Sequence, residues 1–194
     1  MSFKDCRLST WIEDAVNMIG LMQDITGCPP LVIGESMGGM VSTYIAAKKL
    51  CRFHSLLLLC PAINYGNSFT DAVKSILPKQ DLEAFENGDT ITVDLGSHEN
   101  WEPFLFSLSF HHDFVTHHLS QGEDLIQGNF PVRIIHGIDD ITLPYTWMLS
   151  LKLDKMFQTE DLVVTLVKRC GHLILSDSNG HQAVSNVVAD LIHR

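Results

Sequence analysis

The apolar positions of the chain follow two spacings that alternate along its length. From Trp11 onward they recur at Ala15, Met18, Ile19, Met22 and Ile25, the spacing of one helix face. Thr10 and Glu13 stand at its start, three residues apart, and predict a capping box in which the Thr10 oxygen accepts from the first turn. Gly27 and Pro29-Pro30 close the helix. Four short apolar runs follow: "LVIG" at 31–34, "HSLLLLCPA" at 54–62, "PVRIIHG" at 131–137 and "LVVTLVKR" at 162–169. None alternates apolar with polar, which predicts strands of a parallel sheet covered on both faces. Helical stretches are expected at 38–50, near 145–157 and near 180–193. This β-α-β-α order predicts an α/β fold: a mostly parallel sheet with flanking helices.

Residues 63–130 break that rhythm. They are polar in places and rich in aromatics: Phe69, Phe85, Trp101, Phe104, Phe106, Phe110 and Phe114. We read them as a lid inserted into one domain, whose core is 1–62 and 131–194. Most of these rings are expected to pack the lid. Trp101, Phe104 and Phe106 are the candidates for lining an acyl or aryl substrate pocket.

Composition narrows the partners. At 194 residues the chain can bury a sizeable core, and 45% hydrophobic with 19% charged residues is a globular profile. The net charge of −10, with no basic cluster, argues against a nucleic-acid partner or an anionic membrane surface. No apolar run approaches the roughly 18 residues of a membrane span. The five cysteines are scattered and lack Cys-x-x-Cys spacing, so they read as reduced, mostly buried thiols of a cytoplasmic protein. The start, "MSFKDCRLST", has no apolar centre and is not a signal peptide. A mitochondrial location would require a targeting segment upstream.

Three places carry candidate chemistry. "LVIGESMGG" runs an apolar strand into Gly34-Glu-Ser36-Met-Gly38 and then a helix. Such a turn either exposes a serine as a nucleophile or is an ordinary glycine turn. Serine is a weak nucleophile that needs a general base, itself oriented by a carboxylate. The run at 131–137 ends in His136-Gly137, followed by Asp139 and Asp140; either a carboxylate works here or the pair is a solvated turn. The run at 162–169 is followed by His172. In open α/β sheets, functional groups gather at the carboxyl ends of strands, where all three places fall.

Gly34-x-Ser36-x-Gly38, His136-Gly-x-x-Asp140 with Pro144, and Gly171-His172, in that order, resemble the α/β-hydrolase superfamily. The resemblance implies Ser36 as nucleophile, His172 as general base and acid, Asp140 as its orienter, and the Met37 backbone N–H as an oxyanion donor. It implies no metal and no organic cofactor. "STWIEDAVNMI", "LLLLCPA" and the "ILP" of the lid resemble one branch, with bacterial esterases and a mitochondrial acyl-protein thioesterase that also cleaves acyl glucuronides. The substrate expected from that branch is a small-molecule or acylated-protein ester or thioester. Members of the superfamily carry about four strands before the helix that precedes the serine turn, and one of their loops supplies a second oxyanion donor. The expected form is therefore N-terminally truncated, with the serine strand at an open edge. A non-catalytic binding module is the alternative.

Other clusters weigh less. His111, His112, His117 and His118 lack the i, i+4 spacing of helical metal ligands and read as a solvated or lid-packing face. Cys170, two residues from His172, reads as a structural thiol.

Overall fold

A computed structural model of the chain describes residues 7–94, 103–120 and 123–193. Its elements in order are α1 (Leu8–Thr26), β1 (Leu31–Glu35), α2 (Met37–Ala47), β2 (Ser55–Leu59), α3 (Gly66–Ile76), α4 (Lys79–Glu86), β3 (Ile91–Val93), β4 (Phe104–Phe106), α5 (Leu108–Thr116), β5 (Ile126–Gln127), β6 (Val132–Gly137), α6 (Tyr145–Ser150), α7 (Leu153–Met156), β7 (Phe157–Gln158), β8 (Leu162–Val167) and α8 (Ser178–Ile192). They form two compact units.

The larger unit runs from Ile12 to Ile63 and resumes at Leu119. Its sheet has the order β1-β2-β6-β8, with every pairing parallel. The four apolar runs become its four strands. Burial on both faces holds only for the inner pair: every residue of β2 and β6 is buried. The outer strands depart from expectation, with Ile33 in β1 48% exposed and Val163 in β8 45% exposed, because each has one neighbour strand among the described residues. Leu57, Leu59 and Ile135 pack with Val167 and with Val184 and Leu191 of α8. Leu56 and Leu58 alternate to the opposite face and are equally buried. Each such leucine contributes about 2 kcal/mol by leaving water. The short parallel pair β5–β7 also belongs to this unit.

Arg133 is the polar exception inside β6. It is 4% exposed. Its guanidinium donates to the Val132 and Asp161 carbonyls at 3.0 and 3.1 Å and pairs with the Asp161 carboxylate at 2.8 Å. Asp161 immediately precedes β8, so the arginine ties the entry of β8 to β6.

The smaller unit comprises Asn64–His118 with the start of α1 as far as Trp11. The smaller unit ends at His118, whereas the expected lid runs to residue 130. Leu119 and Ile126 are 3% and 0% exposed in the larger unit, which claims that stretch by burying it. The smaller unit has its own core of Val73, Phe85, Ile91, Val93 and Phe106 around the antiparallel pair β3–β4. Phe85 and Phe106 stack with centroids 5.3 Å apart.

Helix α1 starts at Leu8, two residues before the expected cap. Leu8 is fully buried, and the Ser9 N–H donates to Asp113 Oδ2 at 2.9 Å, so Thr10 lies inside the first turn rather than capping it. Its expected apolar face is only partly used: Ile19 is buried, whereas Met18, Met22 and Ile25 are exposed, and Ile12, outside that face, is buried instead. No helix among the described residues is long and apolar enough to cross a membrane.

Candidate active site

The serine turn is made by β1 running directly into α2. Ser36 holds φ 51° and ψ −114°, a backbone conformation that costs a non-glycine residue about 1–3 kcal/mol. It is locked there by its neighbours: the Ser36 N–H donates to the Leu59 carbonyl at 2.9 Å, and the Ser36 carbonyl accepts from Gly39 and Ala62. Clearance around the turn comes from particular glycines. A Cβ on Gly34 would overlap the Gly38 carbonyl and the Ser42 hydroxyl, and one on Gly39 would lie 2.6 Å from Pro61 Cβ. Gly38, the last position of the Gly-x-Ser-x-Gly pattern, has open space where its Cβ would be. The close packing of the turn therefore falls on Gly34 and Gly39.

The other side of the site lies beyond β6 and β8. A Cβ on Gly137 would run into the Cys170 and Gly171 carbonyls, so only glycine lets these two loops approach. The Asp139 N–H donates to the Cys170 carbonyl at 3.0 Å and the Gly171 N–H to Asp177 Oδ2 at 2.9 Å, fixing the segment that leads into His172. Of the two carboxylates, Asp139 is exposed and Asp140 is 4% exposed. It is Asp140 that reaches His172, with Oδ2 2.7 Å from Nδ1. His172 Nε2 lies 2.9 Å from Ser36 Oγ. The three side chains singled out in the sequence thus form one continuous line of hydrogen bonds, all within the larger unit.

The acid is fully partnered. Oδ1 accepts the Thr142 and Leu143 N–H groups at 3.0 and 2.8 Å. Oδ2 accepts from His172 and lies 3.4 Å from Nε2 of His136, which is fully buried. Burial pushes the Asp140 carboxyl up, but the hydrogen bonds from His136 and His172 outweigh it and hold the group well below the usual carboxylate range. The Met37 N–H is at the first position of α2, where a helix makes no internal bond to its own N–H. It stands at the positive end of the helix dipole, with no hydrogen bond inside the helix.

Cys60, His136 and Asp140 place ligand-type atoms within 4.8 Å of one another behind this line. The carboxylate oxygens already accept from Thr142, Leu143 and His172, and burial raises the Cys60 thiol far above its ordinary value. Burial likewise pushes the Cys170 thiol up to about 11. Phe104 and Phe106 belong to the core of the smaller unit, Phe106 being 1% exposed. Trp101 lies outside the described residues. In and just after α5, His111 Nδ1 is 2.7 Å from the Thr70 hydroxyl and His118 Nε2 accepts the Gly66 N–H at 3.2 Å. Sequence reasoning passed over the contacts of His136 and Arg133. The His-Gly pair was a visible signal for the first; a charge inside an apolar strand was the signal for the second.

Comparison with known proteins places the fold. No family model matches the chain. It is 20% identical over 192 residues to the mitochondrial palmitoyl-protein thioesterase ABHD10 of Mus musculus, covering 98% of this chain and 60% of that protein. The chain therefore spans about three fifths of the length of that curated relative. Among solved structures, a putative hydrolase from Agrobacterium vitis superposes with a TM-score of 0.78 at 22% identity, over 99% of this chain and 71% of the other. The mouse α/β hydrolase domain-containing protein 10 gives 0.73 at 21%, over 97% and 70%. The chain has the α/β-hydrolase fold.

Proposed function

We propose that this chain is a serine hydrolase that cleaves carboxylic esters or thioesters through an acyl-enzyme on Ser36, His172 and Asp140. The observation that carries this reading is the unbroken line from Ser36 Oγ to His172 Nε2 at 2.9 Å and from His172 Nδ1 to Asp140 Oδ2 at 2.7 Å. His172 Nε2 takes the Ser36 proton as Oγ attacks the carbonyl carbon. The carbonyl oxygen, now an anion, accepts the Met37 N–H. The imidazolium, steadied by Asp140, returns its proton to the leaving alcohol or thiol as the bond to it breaks. Water then attacks the acyl-serine, giving its proton to His172, and releases the acid with Ser36 restored.

The substrate class is an ester or thioester of a partly apolar acyl group, on a small molecule or a protein. The support is the relation to a protein named as a palmitoyl-protein thioesterase. A fluorophosphonate probe tests the reading directly. Labelling of the wild type and none of Ser36→Ala is the expected result; equal labelling of both removes Ser36 as nucleophile.

A second reading, a binding module of the same fold, is favoured by one point. Met37 is the sole oxyanion donor assigned among the described residues, and losing one such donor costs about 10²–10³ in rate. A folded chain that neither labels nor hydrolyses p-nitrophenyl esters would establish it.

A further inference from the structure

Two histidines, not one, face the same carboxylate oxygen. His136 stands one residue before the end of β6 and four before Asp140, and its Nε2 lies 2.8 Å from the Leu143 carbonyl and 3.4 Å from Asp140 Oδ2. A carbonyl only accepts, so Nε2 carries the proton. The same residue, Leu143, returns its own N–H to Asp140 Oδ1 at 2.8 Å. His136, Leu143 and Asp140 therefore close a ring of contacts in which each fixes the next. The Asp140 carboxylate accepts from Thr142, Leu143 and His172, and His136 Nε2 stands 3.4 Å from the Oδ2 that bonds His172. His136 Nδ1 is buried without a hydrogen-bond partner among the described residues, so the ring gains nothing from that side. A buried nitrogen left bare is a cost, which marks the Nε2 side as the one the fold has retained.

We infer that His136 is a positioning residue: its shared N–H anchors the 138–143 loop and turns Asp140 Oδ2 toward His172 Nδ1. The inference rests on the serine-hydrolase reading for its effect on rate, but not for its effect on geometry. Without the N–H, Leu143 loses its tie to β6. Asp140 then rotates about the two backbone donors on Oδ1, and His172 drifts from Ser36. Misplacement of a reacting group by about 1 Å costs on the order of a hundredfold.

The test compares His136→Gln with His136→Met. The two side chains are close in length, but only glutamine sets an N–H where Nε2 stands. The measurements are kcat and KM on a p-nitrophenyl ester, thermal unfolding, and the low-field proton NMR signal of the His172 Nδ1–H bonded to Asp140. The methionine variant is expected to lose about ten- to a hundredfold in kcat with KM held, and to lose or shift the NMR signal. Glutamine should recover kcat to within a few-fold and keep the signal. Equal behaviour of both variants, at matched melting temperatures, would overturn the inference. If the wild type shows no Ser36-dependent activity, the functional reading fails alone. The NMR signal then decides: retained in methionine it overturns the positioning role, and lost in methionine but kept in glutamine it supports it.

Discussion

On the β6–β8 side of the site, Asp140 and His172 are each 4% exposed, and donors occupy the acid from two backbone groups and two imidazoles. On the β1–α2 side, Ser36 is half-buried at φ 51°, on a strand paired along one edge among the described residues. The first side is held by hydrogen bonds that reinforce one another. The second is held by steric clearance and by a strained backbone that its neighbours keep in place. A site of this kind tolerates different errors on its two sides: loss of a donor on one, added volume or relaxed backbone on the other.

The largest break falls on the bonded side. Asp140→Asn preserves shape but presents an amide to His172, and p-nitrophenyl ester hydrolysis should fall about 10⁴-fold. The same variant alters acid stability. Asp140 is held low in the folded chain, so its contribution is present above the ordinary aspartate range and fades as pH falls toward and through its depressed value. Urea midpoints measured from neutral pH down to about pH 3 should decline for the wild type and less steeply for Asp140→Asn.

Next is Gly137→Ala. The new methyl meets two backbone carbonyls that cannot retreat without breaking the β6–β8 approach. A loss of about 3 kcal/mol in denaturant stability, with loss of probe labelling, is expected. On the serine side the sign reverses. Ser36→Gly removes the proposed nucleophile and also the penalty of its backbone, since glycine tolerates positive φ. Activity disappears while stability should rise by about 1 kcal/mol, a shift of several degrees in Tm. The smallest effect is Gly38→Ala, where the structure leaves open space: stability should stay within about 0.5 kcal/mol of wild type. A large loss there would show that Gly38 is held by something other than its clearance.

All four apolar runs became sheet strands, although burial on both faces explains only the inner two, β2 and β6. Ser36, Asp140 and His172 were legible as positions, since each follows such a run in a fixed order. Their mutual distances were not, because a one-dimensional pattern carries no strand order. Which glycine the turn requires was also hidden: Gly38 satisfies the pattern, yet Gly39, outside it, meets Pro61. Helix α1 began early because a distant aspartate, Asp113, binds its first turn. Arg133 could be seen as a charge in an apolar strand, but its partner Asp161 is 28 residues away. The fold class needed only local spacing; each of these details needed a contact across the chain.

Ser36 and His172 are 136 residues apart, whereas His172 and Asp140 are 32 apart. Contacts across long stretches of chain form late in folding, because the entropy of closing the loop is lost before the contact repays it. In refolding from urea, Asp140 and His172 should meet early and Ser36 join them last. Ser36 labelling should lag the recovery of helical circular dichroism, making the hydroxyl a clock for the final step of assembly.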